Sequence, residues 1–225
     1  DITDPLQAFP ENSSFVLEIP EPDNFFEKLN TENDFWLDIL NHTKFNELNT
    51  LFQSIIEKSN SQEKLSTLFN QPFYFSVHNQ PELNSNFILI TKKNGLSLEI
   101  LNTKVFAQIK GLSSSVVEGD VLMEKVQYRE NIFFIAQSHG LFLIGSSAEI
   151  LLSSIAQIPK EKGFIQSVDF NRLKMTRGKR ADAFLYISYE FSDDLLKSFL
   201  HQDGINTLES RQFANFSVLD IILKK

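Results

Sequence analysis

The chain has 225 residues, 42% of them hydrophobic and 22% charged, and its 21 basic and 29 acidic side chains give a formal charge of −8. That composition is globular, and at this length a fold buries about 70% of the unfolded surface without disulfides or a structural metal. Cysteine is absent, which excludes thiol nucleophiles, disulfide frameworks and thiolate metal sites.

Phenylalanine occurs 22 times, against one tryptophan and two methionines, so Phe is expected to carry the core. Charge is unevenly placed. Residues 1–90 hold 14 acidic and 4 basic side chains, net −10, while 91–225 hold 15 and 17, net +2. An acidic first part disfavours nucleic acid as a partner, because phosphate contacts need Lys and Arg. No apolar run approaches 18 residues, so no transmembrane segment is expected within these positions. The sequence starts at Asp1 without an initiator Met or a signal segment, and the expectation is that something upstream was removed.

Taken in order, residues 14–19 read as a short strand stopped by Pro20-Glu21-Pro22. Asp23 stands where an N-cap would, ahead of Phe25, Phe26 and Leu29 on one helical face. Apolar residues at three- and four-residue steps then continue through Phe35, Trp36, Ile39 and Leu40, the clear helix at 43–58, and Leu65, Leu68 and Phe69. Residues 23–70 therefore read as a helical block.

From Pro72 the period changes to that of strands, at 73–77 and 87–90. The second run is apolar throughout and suits a strand covered on both faces. A helix carrying Leu98, Leu101, Val105, Phe106 and Ile109 is expected next, ended by Gly111. Strands at about 114–118, 121–128, 131–138 and 141–145 follow in meander order, with hairpin turns at Glu118-Gly119-Asp120 and Ser138-His139-Gly140. Ser146-Ser147-Ala148-Glu149 matches an S-x-x-E capping box for a helix that ends before Pro159.

Near the end, the strand Ala183 to Ile187 and a turn capped at Ser192-Asp193 echo the opening strand and helix at a separation of about 169 to 170 residues. One reading is a partial internal duplication, with unit 1 at 1–160 and a truncated unit 2 at 161–225; chance likeness of two amphipathic β-α units explains the echo as well. A last strand spans about 213–223. The expected fold is a single α+β domain over 1–225, a mostly antiparallel sheet with packed helices.

The segments Ala8 to Glu18, Phe25 to Leu29 and Phe35 to Leu40 resemble the opening of uncharacterised cell-envelope proteins of Bacteroidetes, a domain-of-unknown-function group with a membrane anchor or lipoprotein signal. Phe142 to Ser147, Ala183 to Tyr189 and Phe213 to Asp220 are similar as well. The resemblance implies an extracytoplasmic, periplasmic or membrane-anchored location and a longer parent protein. It implies no reaction and transfers no functional residue.

The search for chemistry yields little. His42, His78, His139 and His201 stand alone, outside any H-x-H or H-E-x-x-H spacing, and read as surface histidines. There is no G-x-S-x-G elbow and no phosphate loop, and no catalytic, metal or cofactor residue is assigned. Carboxylates close in sequence, Glu18 with Glu21 and Asp193 with Asp194, do not by that closeness converge in a pocket. One local charge feature is distinctive: Arg172, Lys174, Arg177, Lys179 and Arg180 fall within nine positions. This cluster sits before a strand and reads as a solvated loop or as a contact surface for anionic head groups, a polyanionic glycan or an acidic partner.

The expectation is therefore a non-catalytic binding or scaffolding module of the cell envelope, without a cofactor, whose partners are envelope proteins or an anionic surface. The rivals are a hydrolase with a site assembled from dispersed Asp, Glu, His and Ser residues, and an apolar-ligand or lipid carrier.

Overall fold

The computed structural model describes residues 3–10, 12–29, 70–80, 83–93, 112–118, 120–128, 131–160, 164–192 and 215–223. Nine strands lie in one sheet: β1 (Phe15–Ile19), β2 (Phe73–Gln80), β3 (Leu83–Lys92), β4 (Leu112–Glu118), β5 (Val121–Tyr128), β6 (Asn131–Ser138), β7 (Leu141–Gly145), β8 (Ala183–Ser188) and β9 (Phe216–Ile221). Their order is β4-β5-β6-β7-β3-β2-β1-β8-β9, and every neighbouring pair is antiparallel. Three α-helices whose bounds are described accompany it: α1 (Pro22–Leu29), α2 (Ala148–Gln157) and α3 (Val168–Thr176). The fold is α+β, as the strand and helix periods predict. The remainder of the helical block at 30–69, the helix expected at 94–111 and the segment 193–214 lie outside the described residues.

The meander β4 to β7 joins the rest of the sheet where β7 pairs with β3. That makes β3 a central strand, and Phe87, Ile88, Leu89 and Ile90 are all buried, as their unbroken apolar run requires. The β6–β7 turn places His139 at φ 49° and Gly140 at φ 75°, the left-handed pair that a two-residue hairpin turn demands.

Residues directly opposite one another on antiparallel strands share a face. One such row crosses the sheet as Asp220, Phe184, Glu18, Tyr74, Ile90, Leu143, Ala136, Met123 and Val116. This face receives the 3-10 turn Pro5–Ala8, α2 and α3, whose Leu6, Ala8, Ile150, Leu151 and Phe170 join Val16, Ile88, Ile90, Leu143 and Tyr186 in one buried cluster. The opposite face is also apolar and buried at its centre, through Phe73, Phe87, Leu89, Phe133, Phe142 and Ile144. Burial fades at the margins, where Val117 on β4 and Leu219 on β9 stand exposed.

The strands of the sequence echo, β1 and β8, are neighbours, with Val16 opposite Tyr186 and Glu18 opposite Phe184. Even-numbered residues of both strands thus share a face, so Phe15 and Phe184, which match at a separation of 169, point to opposite sides. Residues 189–192 are already helical directly after β8, which replaces the turn expected before a cap at Ser192-Asp193.

Helix boundaries differ from expectation by single residues, each for a local reason. Pro22 opens α1, its fixed φ being suited to a first turn, and Asp23 sits inside that turn instead of capping it. At α2 the cap is Ser147, whose Oγ accepts from the Ile150 N–H at 3.3 Å. Ser146 is occupied elsewhere, its Oγ accepting from the Phe87 N–H of β3 at 3.0 Å.

Between them, β7 and α2 meet closely at Gly145. A Cβ there would lie 2.9 Å from Ile150 Cγ2 and 3.1 Å from Leu151 Cγ, both in the core. Gly145→Ala is therefore expected to destabilise the fold by about 1–3 kcal/mol, the usual cost of overpacking, seen as a lower denaturant midpoint with an unchanged far-ultraviolet spectrum. An unshifted midpoint would show that the contact can relax.

Candidate functional site

The position that organises this part of the molecule is Glu18. Strand alternation aims Val16 and Glu18 to the same side, so the carboxylate enters the helix-covered face with its side chain only 7% exposed. An unpaired carboxylate there would be severely penalised. Arg177, which caps the C-terminus of α3, supplies the counter-charge: its Nη1 lies 2.6 Å from Glu18 Oε2 and donates to Tyr186 Oη at 3.0 Å. Tyr186 Oη in turn donates to Glu18 Oε2 at 3.0 Å, closing a triangle of charge-assisted bonds.

Aromatic rings seat the triangle. The Arg177 guanidinium lies 4.5 Å from the Phe184 ring centroid, and the Tyr186 ring packs 4.9 Å from that of Phe170 on α3. Burial, followed by the Glu18 charge, raises the Tyr186 phenol pKa well above its ordinary value, and the same two causes raise that of Tyr74, opposite Glu18 on β2. For Arg177 burial acts to lower the pKa, but the hydrogen bonds to Glu18 and Tyr186 act the other way and the net shift is upward. With both shifts upward, Tyr186 keeps its phenolic proton and Arg177 its charge near neutrality.

The clamp determines how α3 presents its surface. Ser167 caps the helix by accepting from the Phe170 N–H at 3.4 Å, and Asp169 lies in the positive first turn. Phe170, Leu173, Lys174 and Arg177, spaced at three and four residues, form the inner stripe. The outer side then carries Val168, 64% exposed, and Met175, 80% exposed, with Arg172 between them and Lys179 and Arg180 exposed in the following turn.

The basic cluster is thus a solvated loop only in part: Arg172 and Lys174 belong to α3, while Lys179 and Arg180 lie exposed in the turn that follows it. It does not form one surface. Arg177 turns inward to Glu18, and Lys174 Nζ lies 3.9 Å from Asp4 Oδ2. Arg172, Lys179 and Arg180 remain outward, and none of them has an ion pair among the described residues. Glu18 and Glu21 do not converge: Glu21 is exposed and accepts from Asn24 Nδ2 at 3.3 Å. Sequence reasoning weighed Glu18 only beside Glu21 and missed its bonds to Arg177 and Tyr186, although an acidic residue at an inward alternation position between Val16 and Pro20 was the available signal. It also missed Val168 and Met175, since an apolar residue in a basic stretch gives no sign of which way it faces.

A second polar spot involves His78, which is 2% exposed and so is not the surface histidine expected. It shares the helix-covered face with Ser76, whose Oγ lies 2.7 Å from His78 Nε2. Among the described residues His78 Nδ1 has no hydrogen-bond partner. Ser14, Ser188 and Ser192 are also buried. Of the other histidines, His139 is exposed in its turn, while His42 and His201 lie outside the described residues. Among the described residues no cluster of three or more His, Asp or Glu side chains is placed to hold a metal ion, and no helix is long and apolar enough to cross a membrane.

Comparisons with protein-family models, curated proteins and solved structures return no match to this chain.

Burial lowers the His78 pKa from 6.5 to about 4. The unfolded chain therefore binds this proton first, and the native state loses stability as pH falls from about 6.5 towards 4, by up to roughly 3 kcal/mol. His78→Gln is expected to flatten that part of the pH–stability curve, measured by denaturant unfolding between pH 7 and 4. A curve of unchanged slope would place the acid sensitivity elsewhere.

Proposed function

We propose that this chain is a non-catalytic binding or scaffolding module of the cell envelope, working outside the cytoplasm, and that the outward side of α3 is its contact surface. One observation carries the reading: Val168 and Met175 are held in solvent on the same side of a helix as Arg172, beside Lys179 and Arg180. Large apolar side chains presented among cations on a helix locked from beneath are what a contact surface needs, since preorganisation lowers the cost of binding. The envelope location and an anchored parent protein rest on the resemblance to uncharacterised Bacteroidetes envelope proteins. Nucleic acid is not proposed as a partner, because the stretch from Arg172 to Arg180 contains no aromatic residue on which bases could stack.

A hydrolase reading would draw on the contact between Ser76 and His78. Both side chains are buried, and among the described residues no group orients the ring through Nδ1, whereas a nucleophile-base pair needs substrate access and a third, orienting partner. The absence of cysteine from the chain permits a direct test by single-thiol labelling. A thiol introduced as Met175→Cys should react several-fold more slowly in native envelopes than in the purified protein, while one introduced as Val117→Cys reacts equally in both. Equal reactivity at position 175 in the two settings would remove α3 as the contact surface. Turnover of a generic ester substrate that disappears in Ser76→Ala would overturn the non-catalytic reading.

A further inference from the structure

We infer that the outward side of α3 seats on the surface of an anionic lipid bilayer; this rests on the contact surface proposed above and names its partner. Val168, Arg172 and Met175 follow one another at four- and three-residue steps, so they form a single stripe along the helix. Lys179 and Arg180 extend it past the C-terminal end. The inner stripe, by contrast, is committed: Phe170 is fully buried and Arg177 is bound to Glu18 and Tyr186. The outward stripe therefore has no role in holding the helix to the sheet, yet it exposes two large apolar side chains.

Among the described residues, three carboxylates near α3 have partners, one cationic and two neutral. Asp4 faces Lys174 at 3.9 Å, Asp169 accepts from Asn215 Nδ2 at 2.9 Å, and Asp220 accepts from the Gly178 N–H at 2.8 Å. Arg172, Lys179 and Arg180 have none among the described residues. Charge complementarity thus selects an anionic partner. Between an acidic protein and a membrane, the shape favours the membrane. Two protruding apolar side chains on a convex helix are too few to form the dry centre of a protein interface, which buries about 1,200 Å² or more in total. They suffice for shallow insertion at the headgroup level, where Lys and Arg reach phosphates without fixed geometry and their aliphatic stems stay apolar. The −10 charge of residues 1–90 opposes approach, so the contact is shallow and sensitive to salt.

The test is partitioning of the purified chain onto vesicles of phosphatidylcholine alone, or of phosphatidylcholine with one-third phosphatidylglycerol, at low and at physiological salt. The expected result is binding only to the anionic vesicles, weakened by salt. Arg172→Gln, Lys179→Gln and Arg180→Gln combined should lower it by roughly a hundredfold, at about fivefold per cation. Val168→Ser with Met175→Ser should lower it by about tenfold with the charges intact. All five side chains are exposed, and an unchanged thermal midpoint would show that each variant is folded. No partitioning at low salt, or partitioning equal in the variants, overturns the inference. Binding to poly-glutamate without binding to vesicles also overturns it, and assigns the surface to an acidic polypeptide. Protection of the thiol at position 175 in envelopes together with failure on vesicles would refute the lipid assignment and leave the contact surface standing.

Discussion

A carboxylate in the interior of a sheet has to be compensated, and compensating Glu18 fixes much of the described architecture around it. Its backbone position in β1 sends the side chain to the face covered by helices. Arg177 must then reach that point from the end of α3, and Tyr186 must stand one strand away with its hydroxyl turned to the same oxygen. The bond between Glu18 and Arg177 spans 159 positions of sequence, and that between Glu18 and Tyr186 spans 168. The triangle therefore ties the opening strand to the late β-α-β segment, a link of high loop-closure cost that local propensity could not supply. The conformational specificity attributed to some buried polar groups has a concrete form here: one rotation of α3 satisfies the carboxylate.

That rotation connects packing with function. With Phe170 against Tyr186 and Arg177 against Glu18, the helix turns Val168, Arg172 and Met175 to solvent. The same five-cation cluster is thereby divided between an internal role and an external one. Beneath it, the sheet is apolar on both sides at its centre, so rigidity comes from the Phe-rich strands and not from the clamp alone. Phe73, Phe87, Phe133 and Phe142 line one face, and Phe170 and Phe184 contribute to the other.

Much of this was legible in the sequence, because strand alternation and hairpin turns are local signals. The meander from β4 to β7, the buried run of β3 and the α+β class all follow from residue patterns within a few positions of one another. The envelope location remains a proposal founded on resemblance. What could not be read was non-local. The pairing of β1 with β8 depends on register between segments far apart, and a one-residue shift reverses every facing. Helix α3 is hidden in the sequence because Phe170 and Leu173 are its only apolar inner positions, and the flanking charges mask a stripe completed by the stems of Lys174 and Arg177. His78 was misjudged because it lies near the end of β2, where exposure is the usual outcome, yet it faces the side that the helices cover. Local capping was read to within one residue: either Ser146 or Ser147 could cap α2, and the tertiary bond to Phe87 decided between them.

The claim at the centre is that the bond between Arg177 and Glu18 holds α3 to the sheet. A double-mutant cycle of Glu18→Gln and Arg177→Met, measured by denaturant unfolding, tests it most directly. A coupling energy of about 2 kcal/mol is predicted, with the double variant less destabilised than the two single changes together imply. Effects that add to within about 0.5 kcal/mol would mean that the two side chains act independently, and would contradict the clamp.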